Sequence, residues 1–375
     1  MAKRYLTAAK AVVGATLPWN IFNEEGVLLL KAGEEITSEL QAHRLATQGL
    51  YFDENIGTSD MGQSERELPS VVRTINLAHK LLQQALPALI EHGDAEAKIK
   101  PIAQLVLDAL DMNPDVAVAT IFLNQDIAPY VYRHCVDTAI MAALIGRAMN
   151  QSPDEMLVTI SAALTQNIGM LKYQDALNNK RAALSEQELT VVHQHPVHGV
   201  NILAKAGVTN EQWLSFVLSH HESEDGSGYP HGKKGEELPL AAKLIGFADR
   251  YCARLTDKKY AKQILPNAAL RDILINYGKE TAPILAAHFI KVIGQYPPGT
   301  TVRLKNGETG VVLKKSAPPN GAVVRITISK SGMPVNEAVV RDSENPEFAI
   351  KEEVPREDAG ASLLMSRFWG TVAAE

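Results

Sequence analysis

Two adjacent histidines followed by a glycine-rich turn give the strongest chemical signal in the sequence. His220 and His221 stand at the end of a helical pattern, and the string ESEDGSGYP follows at once. Because the backbone can bend at a helix end, both imidazoles can face one site. Imidazole is the commonest side-chain ligand of transition metals. The pair alone is typical of surface histidines, but the loop beside it favours a metal site.

Three further candidate ligands lie elsewhere in the chain. His195 begins the string HPVHG inside a predicted helix, Asp249 follows a buried apolar face, and His134 opens a helix predicted from Cys135 to Met149. Each has an ordinary interpretation as well: a histidine on a helix surface, a salt-bridge partner and an interface histidine, respectively. Together they predict a site in which two more histidines and one carboxylate surround the histidine pair.

Helices must supply the frame for these residues. Apolar residues recur at helical spacing from Pro69 to about Tyr296, and one stripe of this kind begins just after Pro101. The first stripe consists of Val71, Val72, Ile75, Ala78, Leu81 and Leu82, and the second of Ile102, Leu105, Val106 and Leu110. Further helices are predicted over residues 132–149, 154–166, 187–206, 210–221, 239–256, 267–278 and 281–295. The predicted fold class is therefore mainly α, a helical bundle.

Smaller modules flank the predicted bundle, which spans residues 69–296. Residues 1–57 have the pattern of an α/β module, with a hairpin turn at Glu24 to Gly26 and a capped helix from Ser38 to about Gly49. The polar residues 58–68 predict a linker. A β subdomain is predicted over 297–355, because Asn306-Gly307 is typical of a tight hairpin turn. Residues 356–375 carry few signals and are expected to form a partly mobile tail.

Composition limits the class of protein. The 375 residues carry a net charge of −6 and form no basic stripe, which argues against a nucleic-acid polymer as partner. The two cysteines, Cys135 and Cys252, are expected to be reduced thiols. Lys10 interrupts the apolar start of the chain, and no run approaches the ~18 apolar residues of a membrane span. A cytoplasmic protein is therefore expected.

The string HHExxDGxGYP, the earlier HPxxG and the later Ala248-Asp249-Arg250-Tyr251 resemble the HD-GYP family over roughly residues 100–296. This family is a branch of the HD superfamily of metal-dependent phosphohydrolases, and its members hydrolyse cyclic di-GMP with two or three metal ions held in a helical bundle. The resemblance implies a set of metal ligands, which are His134, His195, His220, His221 and Asp249. It also implies a loop that borders the substrate and contacts partners, formed by Asp225, Gly226, Gly228, Tyr229 and Pro230. Lys258 stands where the family has an arginine.

The resemblance fails at the namesake motif of the family. Where the family has His-Asp-x-Gly-Lys, this chain has Gln166, Asn167 and Met170 at the three chemical positions. The family's aspartate bridges two metal ions, whereas a neutral carboxamide carries no charge to hold them. Tyr130 stands where some members carry a glutamate for a third ion. The sequence therefore predicts the loss of two-metal hydrolysis at a site that holds one transition-metal ion (Fe, Mn, Ni or Zn) or none.

Three kinds of function remain open at the level of the sequence. The first is a degenerate HD-GYP protein that acts by binding cyclic di-GMP, a related nucleotide, or a signalling protein such as a diguanylate cyclase. The second is a cyclic di-GMP phosphodiesterase with an altered, mononuclear centre, and the third is a purely structural interaction role. The N-terminal module is expected to serve in sensing or dimerisation, which would make the protein a homodimer, or only in packing.

Overall fold

The computed structural model describes residues 2–53, 68–178, 180, 182–255, 264–276, 283–316, 321–360 and 363–375. The chain forms two compact units, Met1–Ser70 and Val71–Glu375. The finer predicted division, at 57/58, 68/69, 296/297 and 355/356, stays a prediction. Most of the predicted linker lies outside the described residues.

The first unit is a small α/β module built on a four-stranded sheet. Its elements are β1 (Ala2–Tyr5), β2 (Ile21–Phe22), β3 (Leu28–Leu30), α1 (Glu39–Gln48) and β4 (Leu50–Asp53), with strand order β1-β4-β2-β3. Gly26 has the positive φ of +82° that the turn between β2 and β3 requires. The Ser38 side chain accepts the backbone N–H of Gln41 and caps α1. The predicted hairpin and capped helix are confirmed.

Helices make up most of the second unit, so the mainly α fold class is confirmed. They are α2 (Val71–His92), α3 (Ala95–Met112), α4 (Pro114–Leu123), α5 (Tyr130–Ala148), α6 (Pro153–Thr165), α7 (Gln174–Asn178), α8 (Glu186–Lys205), α9 (Glu211–Ser219), α10 (Leu240–Leu255), α11 (Pro266–Asn276), α12 (Pro283–Ile293) and α13 (Met365–Trp369). A 3₁₀ helix, Ile168–Met170, follows α6. Helix α5 is buried along most of its length and packs against α6 and α10.

Two helix boundaries and one whole helix differ from the sequence prediction. Helix α3 begins at Ala95 and contains Pro101 in its second turn, so the prediction of a start after this proline is wrong. His134 lies one turn inside α5, which begins at Tyr130, and does not open the helix. Helix α4 was not predicted, because eight of its ten residues are buried and no one-sided apolar stripe remains to mark it.

Two glycines allow the helices around the site to approach closely. A Cβ atom on Gly169 would lie 2.1 Å from the carbonyl oxygen of His195, and one on Gly246 would lie 2.3 Å from that of His220. Real Cβ atoms do not come so near to other atoms. The 3₁₀ helix therefore packs directly against α8, and α10 packs directly against the end of α9.

A five-stranded antiparallel sheet follows the bundle. Its strands are β5 (Thr301–Leu304), β6 (Thr309–Lys315), β7 (Ala322–Ile328), β8 (Val340–Asp342) and β9 (Ile350–Glu353), in the order β8-β7-β6-β5-β9. The predicted hairpin is confirmed, with Gly307 at a φ of +92° in the turn. The sheet packs on the bundle, where a Glu353 carboxylate oxygen accepts the backbone N–H of Asn267 at 2.9 Å.

The end of the chain has more regular structure than its sequence indicates. Helix α13 buries Met365 and Phe368, and the Trp369 indole Nε1 donates to the Leu313 carbonyl at 3.1 Å. Both cysteines are free and buried. Among the described helices, none combines the length and apolar character needed to cross a membrane.

Candidate metal centre

Three histidines converge in the interior of the bundle. His195 lies on α8, His220 caps the C-terminus of α9, and His221 is the next residue. Their ligand nitrogens all lie within 4.8 Å of one another, and within the described residues this is the group of His, Cys, Asp or Glu side chains that could hold a metal ion. His195 and His220 are fully buried, while the His221 side chain is 16% exposed.

Backbone carbonyls fix the tautomers of the two fully buried imidazoles. Nδ1 of His195 lies 2.6 Å from the Val192 oxygen, and Nδ1 of His220 lies 2.7 Å from the Val217 oxygen. A carbonyl oxygen can only accept, so each Nδ1 carries the hydrogen. The Nε2 atoms of these two rings therefore carry lone pairs, and this pattern of second contacts is typical of metal-ligating histidines.

The two Nε2 atoms face each other at 3.2 Å. Burial and the neighbouring His220 lower the pKa of His195 to about 3, and burial also lowers the pKa of His220. Both rings are thus neutral at pH 7, and their opposed lone pairs repel unless a cation lies between them. Two nitrogens bound tetrahedrally to zinc at ~2.0–2.1 Å stand about 3.3 Å apart, so these donors fit a transition-metal ion.

A second buried cluster centres on a carboxylate. Asp249 of α10 is 6% exposed, and its Oδ1 lies 2.7 Å from His134 Nε2. The same oxygen accepts the side-chain N–H of Gln166 at 3.0 Å. Burial alone would raise the pKa of Asp249, but the hydrogen bond from His134 and the nearby imidazoles outweigh it, and the net pKa is lowered. Asp249 is therefore ionised.

The five predicted ligands thus fall into two groups. The ionised Asp249 can only accept, so His134 donates through Nε2 and has no lone pair on that atom for a metal. The two groups are neighbours, since Asp249 Oδ2 lies 4.0 Å from His221 Nδ1. The structure brings all five side chains to one region, and the part each plays in binding metal stays a prediction.

The positions where the sequence departs from the family it resembles lie at this centre. Gln166 is fully buried and Asn167 is 2% exposed, whereas Met170 is half-buried on the 3₁₀ helix. Neither Gln166 Oε1 nor Asn167 Oδ1 has a hydrogen-bond partner in the described part of the chain. Tyr130 stacks on the His134 ring at 5.2 Å, and burial raises its pKa. Neutral groups therefore occupy this side of the site.

The glycine-rich loop after the histidine pair is held by its own residues. The buried Glu222 carboxylate accepts the backbone N–H groups of His231 at 2.7 Å and Lys233 at 3.0 Å. A Cβ atom on Gly228 would lie 2.4 Å from the Ser223 nitrogen, so the chain can fold back here only with glycine. Asp225 accepts the Ser227 backbone N–H at 2.9 Å, next to Gly226, whose φ is +82°.

Tyr229 joins this loop to the histidine cluster. Its ring lies 4.7 Å from the His221 ring on one side and 4.6 Å from the His193 ring on the other, and Pro230 follows it. Sequence reasoning assigned no role to Glu222 or His193. The position of Glu222 directly after the histidine pair was a usable signal, but nothing in the sequence marks His193. Lys258 lies outside the described residues.

The stretch of chain that holds this site matches a known domain family. Residues 104–280 match the sequence model of the HD domain family. That stretch contains the whole histidine cluster, Gln166 and Asp249. Residues 104–280 of this chain are therefore similar to the HD domain family, and the resemblance drawn from the sequence is confirmed at that level.

Two curated relatives are phosphodiesterases. A cyclic di-GMP phosphodiesterase of Pseudomonas aeruginosa is 30% identical over 187 residues, which are 50% of this chain and 45% of that protein. The cyclic di-GMP phosphodiesterase PdeB of Borreliella burgdorferi is 27% identical over 186 residues, 50% of this chain and 49% of that protein. The match thus spans less than half the length of each relative. A solved HDG"Y"P protein of Bdellovibrio bacteriovorus matches with a TM-score of 0.38 and 14% identity, covering 77% of this chain and 98% of that one.

Proposed function

We propose that this chain is a signalling protein of the HD-GYP type that binds cyclic di-GMP, or a related cyclic dinucleotide, without two-metal hydrolysis. One observation carries the proposal: the converging ligand atoms are three imidazole nitrogens, and the neutral Asn167 stands where a bridging carboxylate is expected. Two-metal hydrolysis needs two ions ~3.5–4 Å apart, which a shared anionic ligand stabilises. Three neutral imidazoles suit one ion.

The ordered loop beside the cluster supports a binding role. Glu222 holds its backbone, and Tyr229 lies against His221, so the loop keeps its shape next to the site. A single Fe, Mn, Ni or Zn ion on His195, His220 and His221 would supply positive charge for the phosphates of a nucleotide. The proposal includes action in the bacterial cytoplasm and a protein partner such as a diguanylate cyclase.

Calorimetric titration of the full chain with cyclic di-GMP tests the proposal, with 3′3′-cyclic GMP-AMP as a second ligand. We expect saturable binding and no nucleotide product after incubation with Mn, Fe or Ni. Tyr229→Ala should weaken nucleotide binding by about 10-fold, which corresponds to ~1.4 kcal/mol of binding free energy. An aromatic contact contributes ~0.5–1.5 kcal/mol beyond its buried area. Tyr173→Ala is the matched control, because Tyr173 is 54% exposed.

A phosphodiesterase with a mononuclear centre is the alternative, and the three-imidazole cluster itself favours it. Metal-dependent turnover of cyclic di-GMP that is lost in His220→Ala would replace the binding proposal with this one. If the chain neither turns over nor binds either nucleotide, and fails to retain purified diguanylate cyclases in a pull-down, then both proposals are wrong and a structural interaction role remains.

A further inference from the structure

We propose that Gln166 takes the place of a metal ion beside Asp249 and thereby keeps His134 Nε2 and Asp249 Oδ1 out of the metal site. The hydrogen bond from Gln166 Nε2 to Asp249 Oδ1, at 3.0 Å between groups 83 residues apart, is the observation that points to it. Gln166 acts through Asp249, so it is a positioning residue. The inference rests on the proposed single-ion site only where it predicts how many metal ions the chain binds.

A buried carboxylate must be paired, because removing its charge from water is costly. Asp249 is 6% exposed and accepts N–H groups from His134 and Gln166 on the same oxygen. These two donors offset the charge of the carboxylate without a metal ion. A site that relied on a metal ion for this purpose would not need the amide.

The orientation of the Gln166 amide follows from its surroundings. The side chain is fully buried at the C-terminal end of α6, and its Oε1 atom has no hydrogen-bond partner among the described residues. Turning the amide over would place Oε1 against the Asp249 carboxylate, where two acceptors would repel. The Asp249 charge therefore holds the N–H of the amide towards itself.

This pairing determines which nitrogen atoms remain for a metal. His134 Nε2 carries a hydrogen while it donates to Asp249, and Asp249 Oδ1 already accepts two N–H groups. Neither atom can bind a metal ion without breaking these contacts. Among the described residues, the ligand atoms of His195, His220 and His221 converge within 4.8 Å of one another, so the chain should bind a single ion there.

The variant Gln166→Glu tests this role, since it keeps the side-chain length but brings a carboxylate against Asp249. With chelator present, we expect its Tm to fall by at least about 3 °C relative to the natural chain. Excess zinc or manganese should restore the Tm, and metal analysis should rise from about one to about two ions per chain. Gln174→Glu makes the same change at another buried glutamine, 6% exposed on α7, and should bind no extra ion.

A double-mutant cycle with Gln166→Met and Asp249→Asn keeps the test decisive if Gln166→Glu does not fold. With chelator present, we expect the double variant to lose less Tm than the sum of the losses of the two single variants. The reason is that an uncharged residue at position 249 no longer needs the amide. Additive losses, or a folded Gln166→Glu with unchanged metal response, would overturn the inference. If the natural chain binds no metal, the single-ion site is contradicted instead. The double-mutant cycle is measured without metal, so it still decides the role of Gln166.

Discussion

At the scale of single residues, hydrogen-bond partners separate histidines that the sequence makes equivalent. His220 gives its Nδ1 hydrogen to a carbonyl and keeps a lone pair on Nε2, whereas His134 uses Nε2 to donate to Asp249. Only the first arrangement leaves the inward-facing nitrogen free for a metal. The sequence predicts both residues as ligands because the motif spacing contains no information about tautomers.

This difference predicts opposite effects of two alanine variants. His220→Ala should weaken zinc binding by more than about 100-fold, since even second contacts of a metal site are worth ~10–100-fold. His134→Ala should change zinc affinity by less than about 3-fold but destabilise the chain by ~3–5 kcal/mol, because the buried Asp249 loses a partner. Competition with a chromophoric chelator measures the affinity, and urea unfolding measures the stability.

His79→Ala is the matched control for this pair of variants. His79 is buried on α2 at 3% exposure and is not a member of the histidine cluster. The variant His79→Ala should leave zinc affinity unchanged. Equal losses of zinc affinity in His134→Ala and His220→Ala would show that His134 is a metal ligand. The hydrogen bond between His134 and Asp249 would then be absent from the metal-bound protein.

Close helix contacts carry the site at the scale of elements. The 3₁₀ helix reaches α8 at Gly169, where the nearest atom is the carbonyl oxygen of His195 and the next is the backbone nitrogen of Gly199. His195 is therefore positioned both by its own helix and by the segment that carries Gln166 and Asn167. A change in this contact should alter stability and metal binding together.

Gly169→Ala should destabilise the second unit by at least ~1–3 kcal/mol, because its Cβ would lie 2.1 Å from the His195 carbonyl oxygen. It should also weaken zinc binding, since α8 must shift. Gly199→Ala, on α8 itself, is the control: its Cβ would meet ordinary contacts at 3.4 Å or more, and alanine favours a helix. Urea unfolding and zinc titration of both variants check this, and equal stability of the two would contradict it.

The contact between β9 and α11 predicts that the stability of the folded chain depends on pH. Burial raises the pKa of Glu353 from 4.5 to about 7, although its carboxylate accepts the Asn267 backbone N–H. Because the folded state favours the protonated form, this group contributes stability that is complete below pH 4.5 and is lost as pH rises to about 7. Glu353→Gln keeps an acceptor without the charge, so its Tm relative to the natural chain should rise between about pH 5 and pH 8.

Glu352→Gln controls for this pH effect, since Glu352 is an exposed neighbour paired with Arg303 at 3.0 Å. Its Tm difference from the natural chain should not rise over the same pH range. Thermal unfolding followed by circular dichroism at each pH measures both variants. A flat difference for Glu353→Gln would mean that the carboxylate is solvated in the folded state.

Across the whole molecule, local signals predicted the elements, and long-range contacts determined the site. The hairpin at Gly307 and the cap at Ser38 are written in a few adjacent residues, and both are confirmed. Helix α4 has a cap at Asn113 but lacks a one-sided apolar stripe, because eight of its ten residues are buried. The hydrogen bond between Gln166 and Asp249 joins residues 83 positions apart, and no pattern in the sequence predicts this pairing.

The division into two compact units predicts where binding resides. Every predicted metal ligand and the whole glycine-rich loop belong to the unit Val71–Glu375, and the unit Met1–Ser70 has its own sheet and buried core. The chain from residue 71 to 375 should therefore bind zinc and cyclic di-GMP within about 3-fold of the full chain's affinities, since its site residues are all present.

Calorimetry on the shortened and full chains, with sedimentation at matched concentrations, measures both binding and oligomeric state. If the N-terminal module serves in dimerisation, the full chain should be a dimer and the shortened chain a monomer with the same affinity per site. A shortened chain that folds and binds zinc, yet loses nucleotide affinity by more than about 10-fold, would show that Met1–Ser70 completes the nucleotide site. The module would then act in ligand binding, and an independent second unit would be the wrong description.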